Sequence, residues 1–147
     1  MNEEQMWQAF TAAHPETADA AYEAWCYGSD AADELAQLTA AGIKTATASA
    51  YPMYELEGEE LPKAGEYNVI LLTDGTALCI TKTTKVALVR YRDVSADHAF
   101  LEGEGDRSLS YWRKVHEAFF AEELASVGLT VTEDMTVVCE EFEVVFK

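Results

Sequence analysis

The segment from Glu66 to Tyr91 constrains the fold most strongly, because its pattern predicts two strands joined by one tight turn. The runs EYNVILLTD and TALCITKTTKVALVRY are rich in strand-forming residues and meet at Asp74-Gly75. An Asp-Gly pair between such runs is a strong hairpin signal, since glycine tolerates the positive φ that these turns need. We therefore expect an antiparallel hairpin near the centre of the chain.

Helical periodicity dominates the segments on either side. Residues 1–41 predict two or three helices, with Asp30 as the N-cap of the last one and Gly42 as its stop. A longer amphipathic helix is predicted from about Ser108 to Val127. The segments EGEELPKAG and DHAFLEGEGDRS have the composition of loops.

Two further strands complete the prediction. The segment KTATASAY alternates from Lys44 onward, and MTVVCEEFEVVF alternates less regularly at the end of the chain. The order helices, strand, hairpin, helix, strand predicts an α+β fold with a largely antiparallel sheet, closed or nearly closed into a small β-barrel. At 147 residues we expect a single domain, 1–147, with 1–41 as a helical region packed on the barrel.

The formal charge of −17 argues against a long anionic partner, but its distribution matters. Nine of the ten basic residues lie in 44–116, and the acidic excess lies on the flanks. A short or neutral ligand is repelled less than a polymer by such flanks. No apolar run is long enough to cross a membrane and no signal peptide is evident, so we expect a cytoplasmic protein without membrane contact.

The cysteines and histidines give no metal-site pattern. Cys26, Cys79 and Cys139 are far apart in apolar sequence and predict buried free thiols. The three histidines are scattered along the sequence, so we expect neither a metal nor another cofactor. His116 and Trp112, four residues apart on the apolar face of the long helix, are expected in the core.

Lys44 is the first candidate for chemistry. It follows Gly42 and precedes Thr45, Thr47 and Ser49. A desolvated lysine can act as a base or an anion clamp, whereas the alternative is a surface strand with a solvated lysine. In a regular strand Lys44 and Thr47 face opposite sides, so they can meet only if the chain bends between Gly42 and Thr45.

Two neighbouring segments offer further candidates. Glu102, Glu104 and Asp106 are close enough in sequence for paired-carboxylate acid-base chemistry, although an exposed capping loop is the alternative. The helix start with Ser108, Tyr111 and Arg113 offers free N–H groups to an anion, but ordinary capping explains it as well.

The central strands carry four basic residues beside Tyr91. Such a set could follow a nucleic-acid backbone, whereas a solvated sheet face is the alternative. The residues concerned are Lys82, Lys85, Arg90 and Arg92.

The chain resembles the ASCH domain family, relatives of the RNA-binding PUA domain. The resemblance covers roughly residues 30–145 and rests on GIKTATAS, GEELPKAGEYNVIL, ITKTTKVALVRYRDVSADHAFLEGEGDRSLSYWRKVH and DMTVVCEEFEVV. It implies a PUA-like β-barrel whose cleft is lined by Gly42, Lys44 and Thr47 and faced by an acidic residue. The long N-terminal region and the EGEGD loop are similar to those of a longer bacterial subfamily.

The resemblance also implies a choice of functions. Some members hydrolyse the acetyl amide of acetylcytidine, others cleave single-stranded RNA, and others are thought only to bind RNA or a nucleotide. The first activity implies Lys44 as the base that activates Thr47 or a water, with Glu102 as proton shuttle and Glu104 as its substitute.

The partner implied by the resemblance is RNA or a nucleoside derived from it, and the oligomeric state stays open. We expect further substrate contacts from the residues around the motif and the acidic loop, namely Ser49, Tyr51, Glu104, Arg107, Ser108 and Tyr111.

Overall fold

A five-stranded sheet forms the centre of the structure, a computed structural model that describes residues 1–147. Its strands are β1 (Tyr22–Trp25), β2 (Ala46–Ala50), β3 (Tyr67–Leu71), β4 (Ala77–Arg90) and β5 (Thr136–Phe146). They are ordered β1-β3-β4-β5-β2. Only the β1–β3 pair is parallel, so the predicted α+β fold with a largely antiparallel sheet is confirmed.

The predicted hairpin is formed by β3 and β4, which pair antiparallel from Tyr67 opposite Lys82 onward. Gly75 has a φ of 91° in the connecting turn, which explains why glycine follows Asp74. Strand β4 then continues beyond the hairpin and pairs with β5 as far as Arg90. This long strand connects the two halves of the sheet.

The sheet does not close into a barrel. Strands β1 and β2 lie at opposite ends of the hydrogen-bonding order and do not pair with each other. The four-residue β1 pairs only with β3, and β2 pairs only with β5. The predicted closed β-barrel is therefore not confirmed. The pairing of β4 with β5 is irregular at two places, where the register shifts.

Five α-helices surround the sheet: α1 (Glu3–Ala13), α2 (Ala32–Ala40), α3 (Tyr51–Glu57), α4 (Ala96–Glu102) and α5 (Leu109–Ala125). Short 3₁₀ turns follow α1 and β4. The long helix was predicted within two residues at each end, and Ser108 caps it through the Tyr111 amide. No helix is long and apolar enough to cross a membrane.

Several local predictions were wrong. Residues 1–41 contain two of the predicted helices, α1 and α2, but Tyr22–Trp25 between them is a strand that pairs with β3. The N-cap of α2 is Ala31 rather than Asp30. Helix α3 follows β2 directly, and α4 occupies part of the expected loop before α5. The missed elements β1, α3 and α4 are too short for periodicity to identify them.

Three apolar clusters hold the helices on the sheet. The largest includes Trp112, Phe120 and Leu124 of α5 with Val137 of β5, whereas the other two lie beneath α1 and α2. Cys79 and Cys139 are buried as predicted, and burial raises the pKa of Cys79 to about 11. Cys26 is exposed, because it follows the end of the edge strand β1, so its predicted burial was wrong.

Two glycines with positive φ provide a matched test of local packing. An added Cβ at Gly75 meets nothing within 4 Å, whereas at Gly103 it lies 2.6 Å from the Ile43 carbonyl oxygen. We expect Gly75→Ala to cost about 1 kcal/mol from backbone strain. Gly103→Ala should cost about 3 kcal/mol, because the added atom also forces the two segments apart. Urea unfolding of both variants measures the difference, and equal losses would contradict the packing argument.

Candidate active site

A cavity of about 620 Å³ opens between the strands and helices α3 and α5. One end contains Lys44, Glu102, Glu104 and His116. The wall contains five aromatic rings together with eight glutamates, and the rings belong to Trp25, Tyr27, Tyr54, Tyr67 and Phe119. A concave site of this volume that combines aromatic side chains with convergent polar groups can bind a small molecule.

A bend in the chain brings Lys44 into this cavity. The Leu38 carbonyl accepts hydrogen bonds from the amides of both Ile43 and Lys44, and the regular strand begins only at Ala46. Thr45 is fixed from both sides, since its amide donates to Leu101 and its carbonyl accepts from Phe142. Lys44 and Thr47 consequently line the same cavity, although no hydrogen bond joins them.

Lys44 is among the most deeply buried side chains, with 1% of its surface exposed. Its Nζ donates to the Ala46 carbonyl at 2.8 Å, to Glu102 Oε1 at 3.3 Å and to Glu104 Oε2 at 3.4 Å. These three acceptors match the three protons of an ammonium group. The alternative of a solvated surface lysine is therefore wrong.

Glu102 is surrounded by donors. Its Oε1 faces Lys44 and His116 Nε2, both at 3.3 Å, and its Oε2 accepts from His98 Nε2 at 2.6 Å and from Trp112 Nε1. Four donors fill the acceptor positions of one carboxylate. Burial opposes ionisation, but hydrogen bonds from His116 and His98 and the charge of Lys44 hold the pKa of Glu102 well below its usual range.

His116 is also held by two acceptors. Its Nδ1 lies 2.9 Å from the Trp112 carbonyl oxygen while its Nε2 faces Glu102. The ring also stacks on Trp112, with centroids 4.1 Å apart. His116 therefore gives the buried carboxylate a second histidine contact beside that of His98.

Glu104 differs from Glu102 in its surroundings. Its side chain is 16% exposed and borders the cavity, and Lys44 is the one protein group that donates to it. Burial raises the pKa of Glu104, the Lys44 charge opposes this, and the Glu102 charge raises the pKa further, so that the net shift is upward. Carboxyl groups whose pKa values are driven apart in this way are characteristic of acid-base sites.

The loop that carries Glu104 is tightly packed. Gly103 abuts the Ile43 carbonyl, and a Cβ at Gly105 would lie 2.5 Å from the Tyr111 ring. Both glycines and Arg107 have positive φ. The loop shape directs Glu104 toward Lys44, which explains the glycines on either side of it.

Five predicted site residues meet at the cavity, namely Lys44, Thr47, Ser49, Glu102 and Glu104. Ser49 Oγ lies 2.8 Å from the Tyr54 hydroxyl, so α3 closes this part of the wall.

Four predicted substrate contacts lie outside the cavity lining. Tyr51 begins α3, and Ser108 caps α5. Tyr111 covers Gly105, while Arg107 stacks on Phe100 with its guanidinium 3.7 Å from the ring centroid. These residues shape the loop and the helix ends around the site.

The four basic strand residues also lie outside the cavity lining. Lys85 pairs with Glu141, and Arg90 and Arg92 both pair with Asp134. Lys82 lies over the Tyr67 ring, with Nζ 5.6 Å from its centroid. They form a solvated sheet surface, partly neutralised by acidic neighbours.

Sequence reasoning missed the residues that surround Glu102. His98 and His116 are far apart in sequence but converge on one carboxylate, and Trp112 and His116 are buried as predicted while also contacting it. The spacing of four between His98 and Glu102, and between Trp112 and His116, was the available signal. The spacing of His98 and Glu102 indicates a contact only if both residues lie on one helix, and that helix, α4, was not predicted.

Glu102, Glu104 and His116 also have potential ligand atoms within 4.8 Å of one another, close enough to hold a metal ion. Lys44, however, already contacts both carboxylates as a cation. The two carboxylates therefore already have a positively charged partner, the ammonium group of Lys44.

Replacing Glu102 tests whether its charge holds the cluster together. Glu102→Gln leaves Lys44 with Glu104 as its one acidic partner and removes the carboxylate that His98, Trp112 and His116 contact, so we expect a loss of about 3 kcal/mol at neutral pH. Because the folded pKa is lowered, the wild-type stabilisation is present above the ordinary glutamate pKa of about 4.3 and is lost as pH falls through the folded value.

The difference between wild type and Glu102→Gln should therefore shrink on acidification. Thermal unfolding across pH measures it, with the exposed Glu143→Gln as control. A difference that grows as pH falls would contradict the assignment.

Comparison with known proteins supports one family. The ASCH domain model matches residues 23–146. No curated protein matches the chain. The crystal structure of the ASCH domain from Lactobacillus crispatus JV V101 is similar, with a TM-score of 0.93, 32% identity, and 98% of this chain and 94% of that chain covered.

A second crystal structure, of protein EF3133 from Enterococcus faecalis V583, has a TM-score of 0.88 and 40% identity. It covers 97% of this chain and 87% of that chain. The resemblance inferred from the central motifs is thus confirmed, and the chain belongs to the ASCH domain family.

Proposed function

We propose that the protein is a hydrolase that cleaves the acyl amide on the exocyclic nitrogen of a modified cytidine nucleoside, as in acetylcytidine. The observation that carries the proposal is the pair Glu102 and Glu104. Both contact Lys44 at one end of the cavity, and their pKa values are shifted in opposite directions. Such a pair provides one fixed charge and one group able to exchange a proton.

Glu104 is the better candidate for proton transfer. Its raised pKa lies closer to neutrality than that of an ordinary glutamate, and its carboxyl group borders the cavity. Glu102 was the first choice for this role from the sequence. All its acceptor positions are filled, so we assign it instead to holding Lys44 and the surrounding rings in place.

Lys44 is assigned to charge stabilisation rather than to base catalysis. Its Nζ donates three hydrogen bonds, and its charge can stabilise the oxyanion that develops on an attacked amide carbonyl. Thr47 lines the cavity without a hydrogen bond to Lys44 or Glu104. We therefore assign the nucleophile to water and give Thr47 a hydrogen bond to the water or the carbonyl.

The proposed reaction then balances as follows. Glu104 accepts a proton from water as the new C–O bond forms, and the carbonyl oxygen becomes negative beside Lys44. Glu104 returns the proton to the exocyclic nitrogen as the C–N bond breaks. The products are a carboxylic acid and cytidine.

The alternatives of a ribonuclease and of an RNA- or nucleotide-binding module have less support. The family fold is PUA-like and associated with RNA, which favours an RNA-related substrate. Three of the four basic strand residues, however, are engaged in surface ion pairs. We therefore place the modified nucleoside first.

Glu104→Gln and Lys44→Met test the mechanism on acetylcytidine. We expect Glu104→Gln to lower kcat by about 10³-fold with little change in KM, because it removes the proton acceptor. Lys44→Met should lower kcat by at least about 10²-fold, because it removes the charge opposite the oxyanion. In wild type, kcat/KM should fall as pH drops through the raised pKa of Glu104, since the base must be ionised.

Steady-state kinetics of folded variants decide the matter, with the exposed Glu117→Gln as a matched charge control. Near-normal turnover by a folded Glu104→Gln protein would exclude the proton-transfer role. Absence of turnover by wild type would exclude this substrate.

A further inference from the structure

The cavity is strongly acidic beyond the catalytic end. Eight glutamates line it, whereas Lys44 is its one lysine and no arginine contributes. Lys44 is already matched by Glu102 and Glu104. The remaining six glutamates therefore have no basic partner among the lining residues: Glu23, Glu59, Glu60, Glu66, Glu123 and Glu140.

Glu140 is the member of this set that pairs across the sheet with a residue of the proposed site. It lies directly opposite Thr47 in the β2–β5 pair, a position that brings the two side chains to one side of the sheet. Thr83 Oγ1 donates to Glu140 Oε2 at 3.3 Å, and no protein group donates to the other oxygen. A carboxyl oxygen thus borders the cavity beside Thr47 without a protein partner.

The surroundings of Glu140 contain further negative charge. Burial raises the pKa of Glu140, the Thr83 hydrogen bond opposes this, and the charges of Glu66 and Glu23 raise it further, so that the net shift is upward. A carboxylate in this position is stabilised by a ligand N–H donor or a ligand positive charge, and it repels a ligand anion.

We infer that the cavity selects a ligand without a phosphate group, and that Glu140 sets specificity by accepting a hydrogen bond from the N–H of the scissile amide. The inference rests on the proposed function and narrows its substrate to the free nucleoside. In the substrate the donor is the amide N–H, and in the product it is the exocyclic amine. A 5′-phosphorylated nucleoside or a continuous RNA strand brings anionic groups against uncompensated glutamates.

Binding of product-like probes tests charge selection without relying on turnover. We expect cytidine to bind the full-length wild type at least about tenfold more tightly than cytidine 5′-monophosphate at low salt. Higher salt should bring the two dissociation constants closer together, because it screens the repulsion between the phosphate and the glutamates. Isothermal titration calorimetry supplies the dissociation constants.

The role of Glu140 is tested with pyrimidin-2-one riboside, which has the shape of cytidine but lacks the exocyclic amine. Glu140→Leu removes the acceptor, so it should weaken the binding of cytidine about tenfold and leave the binding of the pyrimidinone riboside unchanged. Glu140→Gln keeps an acceptor without the charge and should show a smaller loss. The exposed Glu143→Gln, on the same strand, should change neither ligand.

The outcomes separate this inference from the proposed function. The inference would be overturned if the monophosphate bound as tightly as cytidine or more tightly, or if cytidine did not bind at all. It would also be overturned if the Glu140 variants lost the same affinity for cytidine and for the pyrimidinone riboside. If Glu140→Leu does not fold, the wild-type ratio and Glu140→Gln still decide. Cytidine binding as expected without hydrolysis of acetylcytidine would reject the proposed activity while leaving the ligand selection standing.

Discussion

The site depends on one buried carboxylate, Glu102, whose acceptor positions are filled by groups from three parts of the chain. Lys44 precedes β2, His98 lies on α4, and Trp112 and His116 lie on α5. Burying these charges is unfavourable unless each is paired, and removing one partner leaves the others uncompensated. The carboxylate therefore couples the bend before β2 to the packing of both helices.

As a result, the neighbouring acids Glu102 and Glu104 have different surroundings. Glu102 is fixed as an anion by its donors, whereas Glu104 has a single protein partner and borders the cavity. Only a tightly packed loop can hold both carboxylates on one ammonium group, and the close approaches at Gly103 and Gly105 provide that packing. The loop thus holds both carboxylates on Lys44, and under the proposed function Glu102 supplies a fixed charge while Glu104 exchanges a proton.

Much of the fold follows from local sequence signals, but the site does not. The Asp74-Gly75 turn and the long apolar helix are determined by nearby residues, so the hairpin and α5 were predictable. Lys44 was identified because a lone lysine between glycine and hydroxyl residues is unusual. The convergence of His98 and His116 and the exposure of Glu140 to the cavity depend on contacts between distant segments, which periodicity cannot reveal.

We propose that Glu102 stays ionised while Glu104 exchanges protons. Carbon-13 NMR titration of the glutamate side-chain carboxyls, assigned with the Glu102→Gln and Glu104→Gln variants, measures both pKa values. We expect the Glu102 carboxyl to titrate below the ordinary glutamate pKa of about 4.3 and the Glu104 carboxyl above it. The reverse order, or two ordinary titrations, would contradict the division of roles.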